Sequence, residues 1–446
     1  MVLAAPPRRG RRPQAALGTF VFTLAAVIAP VGVNGAAAAR ALAPSGTPAS
    51  WGPGRLPRSH PPVSMLAASC ATTGGCVAVG KDHGSDIDVW TSANWGRDWS
   101  AHLAVVAGHA ATPRPDLLWA ATSCPGPSSC YVVGFWQADF QKDSSQRLTL
   151  WSSGPKGAWA AHPGPPGQMS GFPAYLLTGF SCPRPNLCYM SAQGPSGFGL
   201  WSWAPERAWT ALPLPAGYTV KTTGYPPGGN LLSCPAAGVC RLAGNPGPTP
   251  TDAAVWFSSD SGHNWAARHM TKAPLSSVNN LDCPTLSFCA LSGNKSGFET
   301  PTFGSSGAPA FFSSTTNGGR SWRTQPLASS TIDLLFASCP TSAACYGIGV
   351  TGSTKVGGPE RQVLMASSTL GARWRTERLP AGADGSGSQL GMGTSGVDDL
   401  RCASASRCVI AANVDAHAVV APCGPGRGCN RGWRHMSERS EHEPAV

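Results

Sequence analysis

Seven cysteine pairs with one internal spacing, a repeat of 49 to 63 residues and a polar turn ending in tryptophan predict an all-β fold. The fold class is a seven-bladed β-propeller of four-stranded antiparallel blades, with one hairpin disulfide per blade. Composition agrees: the 446 residues include 54 glycines and 42 prolines, and only 12% are charged. Long exposed helices and coiled coils, which need Glu and Lys on their solvent faces, are disfavoured. Turns repeated about four times per blade account for the glycine and proline.

The N-terminal element is a targeting segment. Arg8, Arg9, Arg11 and Arg12 precede an uncharged apolar stretch from Ala15 to Val33 and the run Ala36-Ala37-Ala38-Ala39. This is the order of a secretory signal peptide, assigned to residues 1–43. An uncleaved membrane anchor is the alternative, since about 19 apolar residues can span a bilayer; Pro30 and the alanine-rich exit favour cleavage. Export makes the chain secreted or cell-surface, where disulfides persist. It also reinterprets the formal net charge of +11, because without residues 1–43 the basic side chains fall from 33 to 28 against 22 acidic ones. No dense basic patch interleaved with aromatics remains, so nucleic acid is not expected as a partner. Membrane contact is expected only through an uncleaved anchor.

The repeats occupy residues 65–437. Their pairs are Cys70 with Cys76, Cys124 with Cys130, Cys182 with Cys188, Cys234 with Cys240, Cys283 with Cys289, Cys339 with Cys345 and Cys402 with Cys408. Each unit has an apolar approach ending in Ser-Cys or a near variant, a five-residue turn, and a β-rich exit such as Cys130-Tyr131-Val132-Val133-Gly134. A third run such as Ala253-Ala254-Val255-Trp256-Phe257 follows, then a polar turn, a tryptophan and a fourth run. Facing residues on antiparallel strands have Cβ atoms roughly 4.5–5.5 Å apart, close to what a disulfide needs. Two cysteines facing each other across the first hairpin are therefore expected to bond with little adjustment. Zinc is the weaker reading, because its sites favour two to four residues between cysteines and no histidine cluster accompanies these pairs. No metal and no cofactor are expected.

The polar turn between the third and fourth runs follows Ser-x-Asp-x-Gly-x-x-Trp. Ser258, Asp260, Gly262 and Trp265 match it in full; Ser92, Asn94, Gly96 and Trp99 match with Asn for Asp. Thr315, Asn317, Gly319 and Trp322 carry Thr for Ser as well, and Ser367, Gly371 and Trp374 keep three places. The turns ending at Trp159 and Trp209 are eroded. This pattern resembles the Asp-box (BNR) repeats of sialidase-like β-propellers. Physically, a short Asp or Asn side chain bonds backbone amides two residues on, and glycine accepts a positive φ. The tryptophan is expected to bury its ring between blades, in preference to stacking on carbohydrate.

The last repeat has Cys423 and Cys429 in place of that turn, just before Trp433, which reads as an eighth disulfide. At the other end, Trp51-Gly52-Pro53-Gly54-Arg55-Leu56-Pro57 echoes the outer-strand sequence Trp374-Arg375-Thr376-Glu377-Arg378-Leu379-Pro380. Segment 44–64 therefore competes with the residues after Trp433 for the final blade edge, whose closure removes two open strand edges. Residues 438–446 form a polar tail.

Meander topology puts the cysteine turns and the polar turns on one face. The second-to-third-strand loops and the blade linkers, including 213–229, lie on the other. On that loop face the candidate ligand residues are Arg147, Tyr218, Tyr225, Glu299, Glu360 and Arg361, each weighed against being an ordinary solvated residue. Asp82, Asp86, Asp88, Asp139 and Asp143 fall in two of its loops and keep a two-carboxylate glycosidase open.

The resemblance implies three arginines, a Tyr–Glu pair and an acidic Asp for an exo-alpha-sialidase. The early Phe/Tyr-Arg-Ile-Pro motif is missing, Gly54-Arg55-Leu56-Pro57 being the nearest string. Tyr131, Tyr189 and Tyr346 follow blade cysteines and read as structural. Other enzyme motifs are lacking too. The expectation is an exported monomeric propeller without catalytic residues, recognising an extracellular protein or a cell-envelope glycan. A sialidase-like hydrolase is the alternative, and an assembly factor docking on a membrane complex is a third reading from architecture alone.

Overall fold

The structure, a computed structural model, describes residues 62–422 apart from 83–86, 104–115, 138–145, 155–157, 166–175, 195–196, 220–229, 247–251, 275–276, 295–309, 329, 353–359, 378, 380–395 and 415–416. The chain divides into a unit Met1–Ser45, outside the described residues, and a unit Gly46–Val446 that holds every element below.

Every element among the described residues is a strand. The first sheet is β1 (Pro62–Cys70), β2 (Cys76–Asp82), β3 (Ile87–Ser92) and β4 (Ser100–Leu103). The second is β5 (Asp116–Gly126), β6 (Ser129–Gln137), β7 (Gln146–Ser153) and β8 (Trp159–Pro163). The third is β9 (Leu176–Arg184), β10 (Leu187–Gly194), β11 (Gly197–Ala204) and β12 (Ala208–Leu212). The fourth has five strands: β13 (Tyr218–Thr219), β14 (Leu232–Ala236), β15 (Val239–Pro246), β16 (Asp252–Ser258) and β17 (Ala266–Pro274). The fifth is β18 (Ser277–Asp282), β19 (Cys289–Asn294), β20 (Ala310–Thr315) and β21 (Arg323–Pro326). The sixth is β22 (Thr331–Thr341), β23 (Ala344–Gly352), β24 (Glu360–Ser367) and β25 (Arg375–Glu377). The seventh sheet has three strands, β26 (Gly396–Ser404), β27 (Arg407–Val414) and β28 (His417–Pro422).

Two expectations change here. The structure has six blades with a full meander, and a seventh sheet that stops at three strands within the described residues. The expected bridge between Cys423 and Cys429, Trp433 and segment 44–61 lie outside those residues. Second, Tyr218–Thr219, expected in a linker, is a strand that pairs Tyr218 with Pro246 and Thr219 with Asn245. The reason is local: β14 reaches only as far as the Leu232–Leu242 pair, leaving the far end of β15 open for β13.

The inner strands are buried on both faces because each sheet packs between two others, whereas fourth strands such as β12, β21 and β25 carry exposed positions. β20 is buried at all six positions, which fits its apolar and small-residue sequence Ala-Phe-Phe-Ser-Ser-Thr.

Seven disulfides staple the cysteine hairpins, with Cα–Cα distances of 3.9 to 4.1 Å. They join Cys70 to Cys76, Cys124 to Cys130, Cys182 to Cys188 and Cys234 to Cys240. The others join Cys283 to Cys289, Cys339 to Cys345 and Cys402 to Cys408. The expected facing geometry holds, because each pair continues the antiparallel register of its hairpin. Cys70 and Cys76 in the first sheet, and Cys402 and Cys408 in the seventh, are direct antiparallel partners. In the third sheet Tyr189 pairs Ser181, which sets Cys188 opposite Cys182, and in the sixth Tyr346 pairs Ser338, which sets Cys345 opposite Cys339; the register shifts there lie on the turn side of the cysteines. On their other side Cys188 and Cys345 stand opposite Trp203 and Ser367 of the third strands. The five-residue turn closes beyond the disulfide, with the irregularity confined to the turn.

Candidate functional site

Three layers of polar chemistry hold the sheets together, and they define which surfaces remain for function. The first is the residue before the leading cysteine in the second to sixth sheets. Its side chain accepts the cysteine N–H of the following sheet: Ser123 from Cys182, Ser181 from Cys234, Ser233 from Cys283 and Ser338 from Cys402, each at 3.0 Å. Asp282 does the same for Cys339 at 2.6 Å. The recurring Ser-Cys dipeptide is therefore an inter-sheet tie. Each tie satisfies a backbone donor that would otherwise be buried without a partner.

The second layer follows the second cysteine. Tyr131 Oη accepts the N–H of Asn186 at 2.7 Å, and Tyr346 Oη donates to Ala405 O at 2.6 Å, each reaching the next sheet's cysteine hairpin. Arg241 fills the same place in the fourth sheet, donating to Cys240 O, Ser258 O and Leu286 O. Burial, then the charge of Arg268, pulls the Arg241 pKa down to about 10.

The third layer is a set of buried side-chain amides that mimic a strand neighbour. Asn230 bonds both the N–H and the C=O of Phe180, and Gln362 both those of Val397. Asn413 closes the ring in the same way: its Oδ1 accepts Met65 N–H at 2.9 Å and its Nδ2 donates to Met65 O at 3.3 Å. The same Nδ2 donates to Asp398 at 2.5 Å, while Asp399 accepts Ala68 N–H at 3.3 Å. This closing seam is electrostatically loaded. Burial, and then the neighbouring Asp399 charge, pushes the Asp398 carboxyl up to about 8. Burial also raises Asp399, opposed by Arg401, whose Nε lies 3.2 Å from it.

The polar turns share one geometry. Ser92 Oγ accepts Gly96 N–H at 2.9 Å, and Ser258 Oγ accepts Gly262 N–H at 2.8 Å. Thr315 serves Gly319 at 3.0 Å, and Ser367 serves Gly371 at 3.1 Å. The fourth and fifth turn residues both take positive φ, as in Ser261 (65°) and Gly262 (87°). Glycine has a further reason at the fifth place. A Cβ on Gly371 would sit 2.2 Å from the Phe312 ring of the fifth blade, and one on Gly319 would sit 2.2 Å from the Phe257 ring of the fourth. The tryptophans lie between sheets: Trp99 packs in one cluster with Val409 and Ala411, and Trp374 meets Phe312 edge-on at 5.1 Å.

The predicted ligand residues are not drawn together. Arg147 lies in β7 opposite Trp136, and Glu360 in β24 opposite Gly352. Arg361 is exposed beside Glu360. These three do start third strands on the loop face. Tyr225 and Glu299 lie outside the described residues. Tyr218 is a correction: its ring is buried against Phe198 and Trp256, and its hydroxyl donates to Ala243 O at 3.4 Å. Burial raises its pKa. Asp88 is another correction, a buried residue of β3 opposite Gly80 and not a loop carboxylate; Asp82 ends β2. Asp86, Asp139 and Asp143 fall outside the described residues. Among the described residues no three His, Cys, Asp or Glu side chains group as a metal site.

These sheets and ties define a disulfide-stapled β-propeller, and comparison with known proteins adds only that class. No family model matches the chain, and no curated protein does. Solved structures do. YCF48 bound to a D1 peptide is 12% identical with a TM-score of 0.50, covering 84% of this chain and 97% of that one. YCF48 from Cyanidioschyzon merolae is 12% identical at 0.48, covering 84% and 99%. The Hadza microbial sialidase Hz136 is 11% identical at 0.39, covering 81% and 65%. At such identities the likeness is one of fold.

Proposed function

We propose that the chain is an exported, noncatalytic binding propeller whose loop face takes an extracellular protein or a cell-envelope glycan. In this reading the seventh sheet is the seventh blade, the Ser-x-Asp-x-Gly-x-x-Trp turns are Asp boxes, and residues 1–43 are a signal peptide. The seven disulfides fit the oxidising compartment that export implies.

One observation carries the reading. The described tyrosines, Tyr131, Tyr189, Tyr218 and Tyr346, are all buried, and three of their hydroxyls bond within the scaffold. A sialidase nucleophile must reach solvent-borne substrate, and these phenols are committed to packing. A fold of this kind solved with a peptide, as YCF48 was, gives precedent for a polypeptide ligand. The test is an array of glycans and peptides probed with the oxidised full chain and with Arg361→Ala. Saturable binding that Arg361→Ala weakens supports the loop face, whereas binding to neither class sinks the reading.

A further inference from the structure

The opposite face carries a charge pattern that the loop-face reading does not use. In each regular turn the third residue's side chain holds the N–H of the seventh. Asn94 holds Asp98 at 3.0 Å, Asp260 holds Asn264 at 2.9 Å, Asn317 holds Ser321 at 3.0 Å and Thr369 holds Arg373 at 2.9 Å. The crest of each turn is thus presented on pinned backbone. The sixth residue is Arg97, His263 or Arg320, and in the sixth blade Arg373 follows at the seventh place. In the eroded third-blade turn Arg207 stands at the matching sixth position, its N–H held by Ala204 O at 3.1 Å. All five side chains are exposed.

Arg207, His263, Arg320 and Arg373 therefore form an arc over four consecutive blades, with Arg97 further round. Arg184 and Arg407 sit on the same face in the cysteine hairpins; Arg407 stacks on Trp95 at 5.1 Å, across the closing seam. The acids of this face are differently placed. Asp98 accepts Asn94 Nδ2–H at 2.7 Å, and Asp260 accepts Asn264 Nδ2–H at 2.6 Å. The amide and side chain of Asn264 hold the Asp260 carboxyl down to about 2. Asp98 and Asp260 build turns, Glu206 is an exposed acid beside Arg207, and the guanidiniums of Arg97, Arg207, Arg320 and Arg373 form no ion pair among the described residues.

We propose that this arc is a docking surface for a linear anionic polysaccharide of the cell envelope, one bearing carboxylate or phosphate along its length. Guanidinium forks bind such oxyanions bidentately. Arginines on three of these four blades, with His263 between them, suit a polymer with a charge repeated residue after residue. A protein partner fits less well, because protein interfaces centre on apolar and aromatic anchors. Leu286 is the one large exposed hydrophobic among the described residues, and the turn tryptophans face inward. The surface is separate from the loop face, so either proposal can fail alone.

The test is equilibrium binding of the oxidised full chain to alginate, with polyglutamate and neutral dextran as comparators. Four contacts at single-strand charge density predict a loss of about 50-fold between about 50 and about 200 mM salt. The variant Arg97→Ala/Arg207→Ala/Arg320→Ala/Arg373→Ala, checked for an unchanged melting temperature, is expected to lose at least about tenfold in affinity. Alginate binding that survives this variant overturns the proposal. So does dextran or polyglutamate binding as tight as alginate binding.

Discussion

Replacing Asn413 with Ala probes how the ring closes. Asn413 is 2% exposed, and its amide is the partner of both backbone groups of Met65, 348 positions away. Alanine strands a buried N–H at 2.9 Å and a buried C=O at 3.3 Å. Each orphaned group costs about 1–3 kcal/mol, and partial relaxation makes about 3 kcal/mol the expected sum. Over about 360 residues at 2.1 cal/mol/K per residue, this lowers the melting temperature by about 4 °C. The assay is calorimetry of the oxidised protein at pH 6, with Asn413→Asp alongside. The aspartate keeps an acceptor but adds a third carboxyl to Asp398 and Asp399, so its deficit should exceed that of alanine and grow as pH rises. A loss under about 0.5 kcal/mol for Asn413→Ala, the range of an ordinary surface change, would refute the clasp.

The same seam gives a pH dependence. Asp398 is raised by burial to about 8, so the folded state binds its proton more tightly than the unfolded chain at about 3.9. Its contribution is full below the unfolded pKa and is lost as pH rises to about 8; Asp398→Asn should remove that decline, gaining on the order of 2–5 kcal/mol by pH 8 in urea titrations. Gly371→Ala forces a Cβ to 2.2 Å from Phe312 at a φ of 76°, and should cost about 2–4 kcal/mol while altering the near-ultraviolet dichroism of the Phe312–Trp374 pair. Tyr346→Phe loses a 2.6 Å bond to Ala405 O and should cost about 1–2 kcal/mol. Tyr189→Phe, whose buried hydroxyl has no partner among the described residues, should be neutral or stabilising in the same melts.

What was legible in the sequence is what is local. Cysteines six positions apart report a hairpin, and a Ser-x-Asp-x-Gly turn reports a locally bonded cap, because all the partners lie within one short window, although the Asp or Asn side chain holds the amide four residues on and not two. The register irregularities at the tips of the third and sixth cysteine hairpins were not visible, since the first hairpin has the same spacing without one. The inter-sheet ties were hidden for a different reason. Asn230 reaches Phe180 across 50 positions and Asn413 reaches Met65 across 348, and nothing in an isolated Asn separates a buried clasp from a solvated loop residue. A signal did exist in the recurrent serine before the leading cysteine, since repetition at one place in several units points to a shared role. Tyr218 read as a loop residue because a two-residue strand has no periodicity. Its burial follows from the shortness of β14, a tertiary property. The turn-face arginines were visible residue by residue, but their alignment emerged only once the turns were superposed as equivalent crests.

The central claim is binding without chemistry, and one sample can test it. The oxidised full chain is titrated with a fluorogenic sialoside and with immobilised glycans and peptides, following product release and bound protein together. The account predicts saturable retention on at least one immobilised class and no release above the buffer control. Steady release of product that scales with protein concentration would contradict it, and would return the loop face to the hydrolase reading.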